Sequence, residues 1–213
     1  MKDIVIAGIA WSGKWTQARE LLQHLGQNVQ YFEPGSIYRA LSSNDNIAGN
    51  YTKKYTSTGR LVPDRFTESL IGLVFASLDE DNTLLVDGFP RMYSQKKMFD
   101  DAMKQSGREF IVFELVISEE NAIKRLKNRS ICPSCGATYN TLLDGAITHC
   151  PLDHTLLQIR DDDRSEDAIR ERFRLFYQDT KPGLEDYQKE WKLVQIDGTQ
   201  SIKAITQEII SYL

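Results

Sequence analysis

A glycine-rich segment directly behind a short apolar run constrains the fold of this chain most. The run Ile4–Ala7 predicts a strand, and residues 8–17, Gly-Ile-Ala-Trp-Ser-Gly-Lys-Trp-Thr-Gln, have the pattern of a phosphate-binding loop that opens a helix. Gly8 and Gly13 permit the tight turn, and Lys14 would neutralise phosphate charge. A helix beginning at Gly13 would direct the positive end of its dipole to the same place. The segment therefore predicts a nucleotide site; the alternative is a plain strand-to-helix turn with an exposed lysine.

Two tryptophans depart from this pattern. Trp11 stands where such a loop usually has a small residue, and Trp15 occupies the Ser/Thr position of the general motif, whose hydroxyl normally points at Mg²⁺. A non-glycine residue at positive φ costs about 1–2 kcal/mol, and an indole in the phosphate space would displace ligand. In the alternative arrangement Trp11 points outward over the loop and Trp15 packs between helix and sheet.

Composition limits the class of protein. With 213 residues, 41% of them hydrophobic, the chain can bury one core and carry a small inserted module. The net charge of −4 provides no general attraction for nucleic acid or an anionic membrane, so we expect neither as a partner. The longest apolar candidate, Leu70–Leu78, is shorter than the ~20 residues of a membrane span, and Met1–Ile4 lacks the order of a signal peptide. We expect a cytoplasmic protein, whose three cysteines favour a metal over a disulfide.

Alternating strand and helix signals predict an α/β fold: a parallel β-sheet core flanked by helices, with ligands at the carboxyl ends of the strands. The predicted strands are Ile4–Ala7, Val29–Phe32, Thr83–Val86, Phe110–Leu115 and Leu193–Ile196. The predicted helices are Gly13–Leu25, Ile37–Leu41, Asp64–Leu78, Ser94–Met103, Ser118–Leu126, Ser165–Trp191 and Ile202–Leu213. Between Ile131 and Ile159 the alternation of strand and helix signals stops, which indicates an inserted, metal-organised subdomain.

A second polar motif, Asp87–Arg91, follows the predicted strand that ends at Val86. Its carboxylate can organise hydrated Mg²⁺, and Arg91 can bind a phosphate bidentately. The alternative is a solvated turn in which Asp87 and Arg91 pair with each other.

With these motifs in view, the whole chain resembles the adenylate kinase family of nucleoside monophosphate kinases. The matching segments occur in the family's order: Gly8–Gln17, Gly35–Arg39, Gly59–Asp64, Asp87–Arg91, Gln95, Arg125, Arg129, Cys132–Tyr139, Arg160–Asp163, Arg172 and Asp197–Thr199. The resemblance implies a P-loop core (residues 1–33, 65–130 and 165–213), an AMP-binding arm (34–64) and a LID over ATP (131–164).

The resemblance also implies roles for individual residues. The ATP site would consist of Ala10, Trp11, Ser12, Gly13, Lys14, Trp15, Thr16, Arg129, Thr138, Tyr139 and Gln200. The AMP site would consist of Pro34, Arg39, Arg60, Leu61, Val62, Gly88, Arg91, Gln95, Arg160 and Arg172, with Gln95 reading adenine. The catalytic set would be Lys14, Arg91, Arg125, Arg129, Arg160 and Arg172, because phosphoryl transfer depends on positioning and on neutralising phosphate charge.

The cysteine segment resembles the zinc-binding LID of some bacterial members. Cys132, Cys135, Cys150 and Asp153 would hold a structural Zn²⁺, with His154 as the alternative fourth ligand. The remaining alternative is three structural or free cysteines.

Four departures from the family pattern qualify the expected activity. The loop has Ala10 and Trp11 in place of Pro and Gly, and Trp15 in place of Gly. Pro34 replaces a Thr near the monophosphate base, and Ser130 replaces a second arginine. Around residues 161–165 the chain is one residue longer than usual, which affects the alignment of Arg172.

The leading expectation is a monomeric, Mg²⁺-dependent enzyme that converts ATP and AMP into two ADP. A UMP or CMP kinase is the near alternative. A catalytically weak or silent nucleotide binder is the alternative from another class, and the two tryptophans are its basis.

Overall fold

A five-stranded parallel sheet forms the centre of the computed structural model, which describes residues 2–58, 60–141, 145–159 and 166–213. The strands are β1 (Asp3–Ala7), β2 (Val29–Phe32), β3 (Thr83–Asp87), β4 (Phe110–Val116) and β7 (Leu193–Asp197), arranged in the order β2-β3-β1-β4-β7. All five predicted strands are confirmed, and four are one residue longer than predicted. The α/β fold class is therefore confirmed as well.

The central strand β1 is buried along its whole length and divides the core into two layers. Successive side chains of a strand point to opposite faces of the sheet. Val5 accordingly packs with Val86 and Phe99 on one face, whereas Ile4 and Ile6 pack with Leu85, Leu115 and Ile196 on the other. Burial on both faces explains why this strand is continuously apolar rather than alternating.

Helices cover both faces of the sheet. They are α1 (Lys14–Leu25), α2 (Pro34–Ser42), α3 (Ile47–Thr56), α4 (Asp64–Ala76), α5 (Tyr93–Gln105), α6 (Glu119–Lys127), α7 (Glu166–Leu175), α8 (Lys181–Lys189) and α9 (Ile202–Ile210). In the described part of the chain, none of these helices has the length and apolar character needed to cross a membrane.

Helix α3 was missing from the sequence prediction. It buries only Gly49 and Thr52, so its apolar stripe is too weak to produce a helical period. Gly49 allows close packing: a Cβ on it would lie 2.0 Å from the carbonyl oxygen of Asn44. The available sequence signal was Asn46, whose side chain caps the helix by accepting from the N–H of Gly49.

The helix predicted for Ser165–Trp191 is confirmed from Glu166 to Lys189, but it is not uniform. Ser165 lies outside the described residues, and a π-helical turn at Phe176–Thr180 joins α7 directly to α8. The wider turn lets the Thr180 hydroxyl donate to the carbonyl of Arg91 at 2.7 Å, and lets Lys181 pair with buried Glu114 at 2.7 Å. The helical periodicity of the sequence does not predict these tertiary contacts.

The cysteine segment forms a small antiparallel unit. Strands β5 (Arg129–Ile131) and β6 (Thr138–Asn140) pair with each other, and Ile131 also bridges to Gln158. The segment thus leaves the parallel core after α6, as the break in the alternating pattern predicted.

Candidate active site

A cleft of about 700 Å³ opens at the carboxyl ends of β1 and β3. Most residues predicted to bind nucleotide line it: Ala10, Trp11, Gly13, Lys14, Trp15, Thr16, Pro34, Arg39, Arg60, Leu61, Val62, Gly88, Arg91, Gln95, Arg125, Arg129, Thr138, Tyr139, Arg172 and Gln200. Ser12 does not line it, because its side chain is buried beneath the loop at 1% exposure. Arg160 lies outside the described residues. Residues more than 160 positions apart therefore meet in one cleft.

The loop between β1 and α1 depends on two glycines. Gly8 has φ 140°, and a Cβ on it would lie 2.6 Å from the carbonyl oxygen of Leu115. Gly13, at φ 105°, is the N-cap residue of α1. The Lys14 ammonium donates to the carbonyls of Gly8 and Ile9, both at 2.9 Å, so it lies within the curve of the loop.

Positive charge accumulates around Lys14. Removal from water lowers the pKa of this lysine to about 8, Asp87 opposes the shift, and Arg91, Arg129 and Arg172 add to it. Three arginines thus lie within electrostatic range of the Lys14 ammonium, and a group of cations of this kind suits a polyanion.

Asp87 supplies a buried carboxylate at the end of β3, at 4% exposure. Its pKa is raised to about 6, chiefly by burial and to a smaller degree by the charge of Glu33, while the charge of Lys14 acts in the opposite direction. The Tyr31 hydroxyl donates to Asp87 Oδ2 at 2.9 Å and favours the ionised form. Sequence reasoning missed Tyr31, because only the pairing of β2 with β3 brings it beside Asp87.

Opposite the loop, hydrogen bonds of the Asp87–Arg91 turn position Arg91 and Gln95. Arg91 Nε donates to the carbonyl of Gly88 at 2.7 Å, and the Arg91 N–H donates to Gln95 Oε1 at 3.0 Å. Gln95 Nε2 lies 3.5 Å from Asp64 Oδ1. The guanidinium of Arg91 keeps donors available toward the cleft, since Arg carries five N–H groups.

Arg39 lies in the same wall and pairs with Glu33 at 2.9 Å. The sequence prediction singled out Arg39 but missed Glu33, whose side chain is 17% exposed. A glutamate before a helix is an ordinary sequence feature, so only its position in the cleft distinguishes it.

Arg125 joins two loops. Its guanidinium donates to the carbonyl of Ser12 at 2.8 Å and to that of Gly198 at 2.5 Å. In this structure Arg125 therefore holds the phosphate loop against the turn that follows β7.

Trp11 has its indole at the edge of the cleft. Its φ of 63° is left-handed, and its ring makes an edge contact with Phe173 of α7 at 5.7 Å between centroids. The Arg172 guanidinium carbon lies 5.4 Å from the centre of the same ring. Packing against α7 offsets the cost of the strained backbone.

Trp15 connects α1 to the cysteine segment. It packs against Cys132, Ala137 and Cys150, while the guanidinium carbon of Arg19 lies 4.9 Å from its ring centre. Both tryptophans thus have specific packing partners where glycines would leave gaps.

The three cysteines cluster with Asp153. Ligand atoms of Cys132, Cys135, Cys150 and Asp153 all lie within 4.8 Å of one another. Cys135 Sγ and Cys150 Sγ are 3.6 Å apart, and Cys132 Sγ lies 3.3 Å from Asp153 Oδ2. His154, at φ 58°, is not part of this group within the described chain.

The parallel sheet, the glycine loop with its lysine, and the cationic cleft at the strand ends define a P-loop nucleotide-binding protein. A family model described as adenylate kinase matches residues 6–192. The chain is 33% identical to an adenylate kinase of Petrotoga mobilis over 213 residues, covering 99% of this chain and 96% of the relative. It is 32% identical to one of Thermosipho africanus, covering 99% of both chains, and 30% identical to one of Archaeoglobus fulgidus, covering 99% and 97%. The chain belongs to the adenylate kinase family.

Replacing Tyr31 by Phe tests the electrostatics of Asp87. Loss of the donated hydrogen bond should raise the pKa of Asp87 above its present value of about 6, by up to about 1 because water partly replaces the phenol. A ¹³C NMR titration of the Asp87 carboxyl would measure the change. Tyr38→Phe is the control, since that hydroxyl pairs with Thr67 instead. An unchanged or lower pKa in the Tyr31 variant would contradict the assignment.

Trp15→Gly tests whether the indole is a packing residue. It should lower the free energy of unfolding by about 1–3 kcal/mol, through lost contact with the cysteine segment and a glycine in α1. Denaturant unfolding measures this loss, and kcat/KM should not rise. Trp191→Gly is the control, because Trp191 is 96% exposed at φ 58° and its loss should cost nothing. Unchanged stability with a faster reaction would show that Trp15 obstructs the nucleotide space.

Proposed function

We propose that this chain catalyses the reversible, Mg²⁺-dependent transfer of a phosphoryl group from ATP to AMP, giving two ADP. The observation that carries the proposal is the two-sided cleft: the loop with Lys14 forms one wall, and Arg39, Arg91 and Gln95 form the other. A donor and an acceptor phosphate bound on these two walls would face each other across the cationic centre.

On the donor side, the N–H groups of the loop and of the first turn of α1 would bind the ATP phosphates, assisted by Lys14. Magnesium prefers oxygen ligands, and the buried carboxylate of Asp87 and the hydroxyl of Thr16, which both line the cleft, fit that preference. The ion would neutralise phosphate charge. Thr138, Tyr139 and Gln200 would flank the base.

On the acceptor side, Arg39 and Arg91 would bind the AMP phosphate, and Gln95 would present its amide to the adenine edge. The backbone around Arg60, Leu61 and Val62, together with Pro34, would complete this wall. The Arg91 N–H already holds Gln95 Oε1, so the side chain meets the base in one orientation. We favour AMP over UMP or CMP because an amide can both donate to and accept from the adenine edge.

Catalysis would come from position and charge. The nucleophile is a phosphate oxygen that is ionised at neutral pH, so no protein base is needed. Arg91, Arg129 and Arg172 surround Lys14 and would spread positive charge over the transferring group. We infer that residues 131–164 form the LID and residues 34–64 the AMP arm, and that their closure excludes water. Arg160 would act from the LID.

The silent-binder alternative rested on Trp11 and Trp15. Both indoles pack against other parts of the protein, Trp11 against Phe173 and Trp15 against the cysteine segment. This packing supports the active enzyme, because it provides a structural reason for each replacement.

A direct assay of ADP formed from ATP, Mg²⁺ and AMP tests the proposal, with UMP, CMP, GMP and a reaction without acceptor run in parallel. AMP should be the preferred acceptor. Lys14→Met should lower kcat/KM at least about 100-fold by removing transition-state charge stabilisation. Lys203→Met, exposed on α9, is the matched control. Absence of turnover with every acceptor would support the silent binder, and turnover with UMP or CMP alone would replace the proposed acceptor.

We also infer that Cys132, Cys135, Cys150 and Asp153 hold a structural zinc ion. Tetrahedral Zn²⁺ with Zn–S bonds of about 2.3 Å places sulfurs about 3.8 Å apart. The 3.6 Å between Cys135 Sγ and Cys150 Sγ suits that geometry. Four protein ligands leave no open coordination position, which supports a structural role, with the ion joining two turns of the LID.

Metal analysis should find about one zinc per chain, and removing it should lower the melting temperature, because the cluster is held together by the ion. Cys132→Ser should weaken zinc binding and reduce stability in the same way. Ser134→Ala, in the same turn but without a ligand, should do neither. A metal-free protein whose melting temperature is unaffected by Cys132→Ser would exclude the structural zinc.

A further inference from the structure

Glu33 is a carboxylate in the wall of the cleft that the proposed reaction does not use. It is the N-cap residue of α2, where a negative charge gains from the helix dipole. Its Oε1 pairs with Arg39 Nη2 at 2.9 Å, and both side chains line the cleft. Arg39 is one of the two arginines assigned above to the acceptor phosphate.

The pair lies close against the backbone of α2. A Cβ on Gly35 would be 3.0 Å from Arg39 Nη1 and 3.1 Å from Glu33 Oε1, so the bare Cα of Gly35 leaves the space that the pair uses. A side chain there would displace Arg39, Glu33 or both by a few tenths of an ångström. Gly35 therefore leaves room for the pair beside the helix backbone.

The Glu33 carboxylate also lies within the field of the other acceptor-side groups. Its negative charge acts on Arg91 and on Asp87 as well as on Arg39. A carboxylate that pairs with one phosphate-binding arginine and acts on the other occupies the electrostatic position of a bound phosphate.

We propose that the Glu33 carboxylate competes with the acceptor phosphate for Arg39, so that an incoming phosphate monoester must displace it. This inference rests on the proposed acceptor site. After displacement, Glu33 remains near the bound phosphate without its partner, and like-charge repulsion weakens binding. A dianionic monoester offers Arg39 more charge than Glu33 does, whereas a monoanionic diester offers no such advantage. Glu33 thus selects for a terminal, doubly charged phosphate and keeps acceptor affinity low.

Calorimetric titration without ATP tests the competition, using AMP and inorganic phosphate as separate ligands on the wild type and on Glu33→Gln. The variant should bind both ligands about two- to fivefold more tightly, as expected for removal of a partly exposed ion pair. Unchanged or weaker binding of both ligands would overturn the proposal and make Glu33 a support for Arg39.

Three further variants keep the test specific. Glu109→Gln removes the same charge on the exposed Lys2–Glu109 pair and should leave both affinities unchanged. Glu33→Asp keeps the charge but shortens its reach to Arg39, so a smaller gain supports the proposal even if Glu33→Gln fails to fold, and no gain in either variant overturns it. In an Arg39→Gln background, Glu33→Gln should give a clearly smaller gain, because only the relief of like-charge repulsion is left; a gain as large as in the wild type would place the competition elsewhere.

The two proposals fail in distinguishable ways. If neither protein binds AMP, the acceptor assignment is wrong, but phosphate binding still reports on competition at Arg39. If AMP binds and Glu33→Gln gains nothing for either ligand, the acceptor site stands and the competition is wrong.

Discussion

The burial of Lys14 among charged side chains is the feature on which the rest of the site depends. Removal from water is the main reason why the pKa of this lysine falls to about 8. The buried carboxylate of Asp87 favours the charged lysine, while Arg91, Arg129 and Arg172 disfavour it to a smaller degree. Several cations thus lie at the ends of β1 and β3, where the fold holds them in place for an anion.

Interior hydrogen bonds make this arrangement rigid. Arg125 joins the loop at Ser12 to the turn at Gly198, and Tyr31 holds Asp87. Thr180 reaches Arg91 from the π-helical turn. Each bond fixes a part of the cleft wall from a different element, so the charges keep their relative positions before substrate arrives. Preorganisation of this kind is what phosphoryl transfer requires, since the protein performs little covalent chemistry.

The two loop tryptophans connect the phosphate loop to segments that are distant in the sequence. Trp11 contacts α7, and Trp15 contacts the cysteine segment. Apolar contacts of this size contribute on the order of 1 kcal/mol each, so they help to fix the loop against both segments.

The sequence by itself determined the five strands, the phosphate loop and the cysteine segment, because each leaves a local pattern of hydrophobicity, glycine or charge. The resemblance to the adenylate kinase family supplied the predicted nucleotide-site residues, and all of those that the structure describes, except Ser12, line the cleft. Only the tertiary structure decided the rest. Helix α3 lacks an apolar stripe, and the π-helical turn between α7 and α8 accompanies contacts to Arg91 and Glu114. Tyr31 and Glu33 are ordinary residues in the sequence. They become part of the site because strand pairing and helix packing bring them to Asp87 and Arg39. The local sequence pattern does not predict such contacts.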